Sequence, residues 1–171
     1  MLSSIVTPEL DGRQVPVVVV GGGQAGLSMS WWLREHGVRH VVLERDRVGA
    51  EWRDRRWDTF CLVTPNWQCQ LPGFPYQGKD PDGFMLRDDI VGYLADYARS
   101  FDVPLYEGVT ATRLRGTPDG GFEVDTTAGR LVAEQVVVAT GPYQVPLRPR
   151  MAERLPSSVH QVHSSEYRNP E

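Results

Sequence analysis

Val17-Val18-Val19-Val20-Gly21-Gly22-Gly23-Gln24-Ala25-Gly26 is the stretch on which the fold of this 171-residue chain turns. Four consecutive valines between Pro16 and the glycines predict a strand buried on both faces, as in a parallel sheet. Apolar residues at Leu27, Trp31 and Leu33 predict a helix over 26–36, with Gly37 as its C-terminal cap. A second short apolar strand from His40 to Glu44 completes a β-α-β unit of about thirty residues. Gly21, Gly23 and Gly26 form the pattern G-x-G-x-x-G, which alone marks only a tight turn. Here a strand precedes it, a helix follows it, and an acid closes the next strand about twenty residues on. Those three conditions together predict a dinucleotide site.

Each residue type has a physical reason. Gly21 permits a sharp turn out of the strand. Gly23 lets the backbone approach a pyrophosphate, which then lies against the unpaired N–H groups of the helix start, around Gln24 and Ala25. Gly26 lets the helix lie close on the sheet. Glu44 can accept hydrogen bonds from ribose hydroxyls and would repel a 2′-phosphate, so FAD or NAD is favoured over NADP at this site.

Outward from this unit, residues 1–14 are polar and without periodicity, and read as a leader arm. Residues 45–82 lack a clear period, but Trp52, Trp57, Phe60, Trp67, Phe74 and Tyr76 give them enough apolar surface to become ordered. A helix follows, with Ile90, Tyr93, Leu94, Tyr97, Ala98 and Phe101 on one stripe and Asp88 as the expected N-cap. Turn signals at residues 118–121 and 128–129 then separate three short strands, Val109–Leu114, Phe122–Thr126 and Arg130–Val132, in an antiparallel meander. A further apolar run, Val136 to Ala139, is expected to rejoin the parallel sheet before Thr140-Gly141-Pro142. The expected fold class is α/β: a Rossmann-like dinucleotide-binding domain over residues 15–145, with a parallel sheet and a small antiparallel meander. Residues 146–171 read as a polar tail.

A formal net charge of −4, with Arg53, Arg55 and Arg56 the tightest basic cluster, argues against nucleic acid or an anionic membrane as partner. The longest apolar run near the start is far too short to span a bilayer. Cys61 and Cys69 lack metal-ligand or CxxC spacing, so free thiols in a reducing, cytoplasmic setting are expected.

Beyond Glu44, the order of elements resembles the FAD domain of the two-dinucleotide-binding flavoproteins. More narrowly, the chain resembles the flavin-containing monooxygenases, including their plant auxin-biosynthesis branch. The likeness is carried by Gly21–Gly26 with Glu44, by Trp52-Arg53 after Val48-Gly49, and by Cys69-Gln70-Leu71-Pro72 leading to Phe74-Pro75-Tyr76. Ala139-Thr140-Gly141 also belongs to it, and His163 to Tyr167 resembles the end of the signature F-x-G-x-x-x-H-x-x-x-Y. Ser157 and Val159 stand where that signature has Phe and Gly.

The resemblance implies that Trp52 and Arg53 lie beside the pyrophosphate–ribityl region of FAD. It places Gln70 near the isoalloxazine and the backbone around Ala111 at the adenine. Arg45, Ala139, Thr140 and Gly141 would complete the cofactor-binding set, and no catalytic or metal-binding residue is implied. It further implies an NADPH-dependent oxygenation of a nitrogen, sulfur or carbonyl carbon. NADPH needs a second glycine fingerprint, which these residues lack, so a second domain or a second chain is expected to supply it. Two other readings stay open: a non-catalytic FAD-binding module or subunit of a split flavoprotein, and a fragment of an NAD-dependent dehydrogenase. A disulfide-reductase reading needs a closer cysteine pair than Cys61 and Cys69.

Overall fold

Three parallel strands, β1 (Arg13–Val20), β2 (His40–Glu44) and β5 (Leu105–Glu107), make one half of the main sheet. An antiparallel set, β6 (Ala111–Gly116), β7 (Phe122–Thr126) and β8 (Gly129–Val138), makes the other half. The six strands run in the order β5-β2-β1-β8-β7-β6, and β1 with β8 is a parallel pair that joins the halves. The computed structural model describes residues 10–142 and 145–170.

The valine run is buried on both faces, for a geometric reason. Successive side chains of a strand point to opposite sides. Val17 and Val19 pack with Val42 and, from the helix side, Leu33 and Val38. Val18 points the other way, against Val41, Leu43, Val124 and Leu131. Helix α1 (Gln24–Glu35) crosses between β1 and β2 and ends as expected at Gly37, whose φ is +67°. The N–H groups of Gly37 and Val38 donate to the carbonyls of Arg34 and Leu33, satisfying two orphan acceptors of the last turn. A buried polar pair ties α1 to β2. His40 Nδ1 donates to the Val38 carbonyl at 2.9 Å, and Nε2 lies 2.7 Å from Ser30 Oγ.

Three expectations are corrected and one strand is added. Residues 1–9 lie outside the described residues, but the supposed leader does not extend to residue 14: Leu10 is fully buried and β1 already begins at Arg13. The third strand of the meander and the returning apolar run are one ten-residue strand, β8, which pairs antiparallel with β7 on one edge and parallel with β1 on the other. Strand β5 was not expected at all; three residues leave no readable alternation. The long helix, α3 (Arg87–Ser100), has Leu86 rather than Asp88 as its N-cap. Asp89 accepts from the Leu86 N–H at 3.1 Å, whereas Asp88 pairs with Arg87.

The α3 stripe is core, with Ile90, Leu94, Tyr97 and Ala98 buried. The loop over residues 45–82 is ordered against it: Trp52, Phe60, Phe74 and Tyr76 pack on the same cluster. It contains a short helix α2 (Ala50–Asp54) and a two-stranded hairpin, β3 (Gln70–Leu71) with β4 (Phe74–Pro75). Tyr93 of α3 anchors that hairpin. Its hydroxyl accepts from the Leu71 N–H at 3.2 Å and lies within bonding reach of the Cys69 and Phe74 carbonyls.

Candidate functional site: a cleft at the carboxyl ends of the parallel strands

At their carboxyl ends β1, β2 and β8 are stitched together by backbone bonds. Gly21 N–H donates to Leu43 O and Ala139 N–H to Val20 O, both at 2.8 Å, and Val109 N–H donates to Glu44 O at 2.9 Å. A cleft of about 610 Å³ opens above these ends, within the range of about 300–1,000 Å³ usual for small-molecule sites. One wall is the glycine loop and the start of α1, and the far wall includes Ala50 and Trp52 of α2.

The loop glycines differ in what requires them. Gly21 has φ +111°, and a Cβ there would stand 2.4 Å from the Ala139 carbonyl oxygen. At Gly26 a Cβ would meet the Gly21 carbonyl oxygen at 1.8 Å, so this glycine is what allows α1 to seat on the turn. Gly23 differs. Its φ of −82° and ψ of −173° suit any residue, and among the described residues a Cβ would meet no atom within 4 Å beyond its chain neighbours. Neither backbone conformation nor packing within the chain demands glycine at 23. The empty space belongs to the cleft.

Two features make the cleft suited to an anion flanked by a sugar. Helix α1 has no side-chain cap and no acid in its first turn, so its N-terminal N–H groups and the positive end of its dipole face the cleft unopposed. Glu44, at the end of β2, accepts from Gly22 N–H at 2.7 Å through Oε2 and from Asp46 N–H at 2.9 Å through Oε1. A carboxylate has about four lone-pair sites, so each oxygen keeps one for a hydroxyl donor in the cleft. The loop bonds hold the carboxylate still.

The structure brings Gly21, Gly23, Gln24, Ala25, Glu44, Arg45, Trp52, Ala111, Ala139, Thr140 and Gly141 to the cleft lining. Gly26 is buried beneath it. Arg53 and Gln70 are not part of the lining. Arg53 Nη2 donates to Val48 O at 3.3 Å while Nη1 is buried without a partner, and Gln70 is exposed with Nε2 on Trp67 O at 2.9 Å. His163 is held within its own turn by Ser165, at 2.8 Å from Oγ and 3.1 Å from N. Arg45 is paired with Glu51 at 2.7 Å across the mouth. The sequence reading missed Arg47, Ala50, Arg56, Val109 and Pro142, which also line the cleft. Gly49 before Ala50 was the available signal for α2, since its φ of +78° sets the start of that helix.

Cys61 is exposed and Cys69 half-buried, and both are free. Burial pushes the Cys69 thiol up, away from the thiolate a redox pair needs. Among the described residues no group of acidic, histidine and cysteine side chains could hold a metal, and no helix is long and apolar enough to cross a membrane.

Fold and cleft together define an α/β dinucleotide-binding domain with a mixed, mostly parallel sheet. The family model described as pyridine nucleotide-disulphide oxidoreductase matches residues 18–171. A CzcO-like oxidoreductase of Geobacillus kaustophilus is 42% identical over 157 residues, covering 91% of this chain and 44% of the relative. An indole-3-pyruvate monooxygenase of Oryza sativa is 34% identical over 169 residues, covering 89% and 38%. Among solved structures, a flavin-containing monooxygenase from Stenotrophomonas maltophilia superimposes with a TM-score of 0.74 at 28% identity, covering 81% of this chain and 42% of that one. The chain belongs to the pyridine nucleotide-disulphide oxidoreductase family and, within it, to the flavin-containing monooxygenases, of whose N-terminal FAD-binding part it is the counterpart. It spans less than half the length of these relatives. A bacillithiol disulfide reductase from Bacillus cereus shares the fold at 18% identity and a TM-score of 0.73.

Proposed function

We propose that the cleft holds the ADP half of FAD and that the chain is the FAD-binding portion of an NADPH-dependent flavin monooxygenase. The observation that carries this reading is Gly23. A glycine that the protein's own atoms do not require stands where the pyrophosphate needs close approach to backbone N–H groups. In this reading the N-terminus of α1 binds the pyrophosphate and Glu44 orients the adenosine ribose. The backbone around Ala111 faces the adenine, and Trp52, Ala139, Thr140 and Gly141 close the remaining walls. Arg53 and Gln70, outside the lining, act further along the flavin. When bound, the flavin supplies the redox chemistry, and the protein binds it, orients it and keeps water from one side.

The test is Gly23→Val. With nothing within 4 Å of the added Cβ, the fold is kept, at a cost of about 1 kcal/mol for an apolar residue at the N-cap of α1, while FAD binding is lost. The readout is flavin retained on a desalting column together with circular dichroism. Retention of FAD by Gly23→Val would place the pyrophosphate elsewhere. A second domain or chain is proposed to hold NADPH, since close positioning of two reactants supplies up to about 7–11 kcal/mol of barrier lowering. Anaerobic mixing of this chain, loaded with FAD, with NADPH is therefore expected to give no saturable bleaching of the flavin band within seconds. Saturable bleaching would show that these residues hold both nucleotides.

A further inference from the structure

The far wall of the cleft is a five-residue helix, too short to hold its own geometry, since isolated helices below about 12–15 residues are marginal in water. Trp52 packs it on α3 from the core side, and a second hold on its C-terminal end comes from a remote segment. Arg168 Nη2 donates at 2.8 Å to the carbonyl of Asp54, an orphan acceptor at the end of α2 and 114 residues away in sequence. The Asp58 N–H donates at 2.9 Å to the Arg168 carbonyl. Asn169 Nδ2 donates to Asp58 Oδ2 at 3.0 Å, and Arg87, at the start of α3, donates to Asp58 Oδ1 at 3.0 Å. The Asp58 carboxyl is held below its usual range by the hydrogen bonds from Asn169 and Arg87. The turn after α2 is thus pinned on one side by α3, whose Leu94 lines the cleft, and on the other by residues 168–169, which do not line it. The same turn carries Arg56, which lies over the rings of Trp52 and Phe60 at 5.2 and 5.8 Å.

We infer that Arg168 and Asn169 are positioning residues for the dinucleotide cleft: their clip on Asp54 and Asp58 sets the place of α2, and through it the Ala50–Trp52 wall that closes on the cofactor. The inference rests on the reading of the cleft as the FAD site. The two residues act through α2 and touch no part of the cleft themselves. Losing the clip frees α2 to sample positions in which the wall is open, so the affinity for FAD falls by the fraction of time the closed position is populated.

The experiment uses the full chain and its Arg168→Met variant, which keeps the stem and removes the donors. FAD titrations followed by flavin fluorescence, and hydrogen exchange of residues 50–58, are measured on both. The expected result is faster exchange confined to that segment, an FAD affinity weaker by roughly three- to tenfold, and near-unchanged thermal stability. Arg168→Lys recovers part of the affinity, because an ammonium can still reach the Asp54 carbonyl but loses the fork by which Nη1 also bonds the Ser165 and Tyr167 carbonyls at 3.0 Å. Asn169→Ala gives a smaller loss of the same kind and stands in if Arg168→Met fails to fold. Faster exchange with an FAD affinity equal to wild type would overturn the inference, as would unchanged exchange over 50–58. Absence of FAD binding by the wild type would bring down the functional reading and this inference with it, an outcome distinct from either.

Discussion

The two ends of the sheet each carry a hollow, and they are built in opposite ways. At the carboxyl ends of β1, β2 and β8 the cleft of about 610 Å³ is floored by backbone, with Glu44 locked to two N–H groups and a helix start left uncapped. At the other end a hollow of about 450 Å³ is lined by Gln14, Arg39, Thr117, Asp119 and Glu134. There the turn over residues 117–121 closes on itself, Thr117 donating to Asp119 and its N–H to the Gly121 carbonyl. Volume does not separate the two. The difference lies in unspent backbone donors: one end aims them into space, and the other consumes them within a turn. In open α/β sheets ligands bind outside the carboxyl ends of the strands for this reason.

Substitutions can break or sharpen the contrast. The largest effect is expected at Gly26→Ala, whose Cβ would stand 1.8 Å from the backbone carbonyl oxygen of Gly21. Seating α1 then requires a shift of the helix or the turn, at a cost of about 3 kcal/mol. Thermal unfolding followed by circular dichroism should show a midpoint lowered by roughly 6–12 °C. An unchanged midpoint would mean that the loop is not rigid, and the distinction between Gly26 and Gly23 would fail.

Next in size is Glu44→Ala. It removes the acceptor that faces the cleft and releases the Gly22 and Asp46 N–H groups. FAD affinity is expected to drop by about ten- to a hundredfold, as for loss of a charged hydrogen-bond acceptor. Calorimetry returning the wild-type affinity would remove Glu44 from the site. The smallest effect is expected at the other end of the sheet. The double substitution Arg39→Ala with Glu134→Ala should leave FAD affinity unchanged in the same titration, and a clear loss there would move the site to that hollow.

How much of this was legible along the chain follows from the range of the interactions. The β-α-β unit reads directly because each of its determinants is local: a valine run, a glycine turn, an apolar stripe, Gly37 at the helix end, and an acid one strand later. The aromatic loop could be judged ordered but not shaped, since α2 and the hairpin depend on Gly49 adopting a positive φ and on the Tyr93 hydroxyl one element away. Strand β8 reads as two elements because its two halves have different neighbours, and a side-chain pattern cannot show which edge of a strand is paired. Leu10 is buried in a cluster that also holds Val124 and Leu131, more than a hundred positions later.

The sequence by itself determined the class of fold, the pattern of the glycine loop and the place of Glu44, because bond geometry and short-range sterics are written into neighbouring residues. Only the tertiary structure decided which glycines serve the protein and which the cleft. Gly21 needs glycine because the end of β8 comes to rest beside it, Gly26 because its own loop folds back, and Gly23 for no contact a Cβ would make among the described residues. It alone decided also that Arg168 reaches Asp54 and that Arg53 and Gln70 lie off the lining. Such pairings join residues far apart in the chain, and their distance is set by packing rather than by the identity of any one of them.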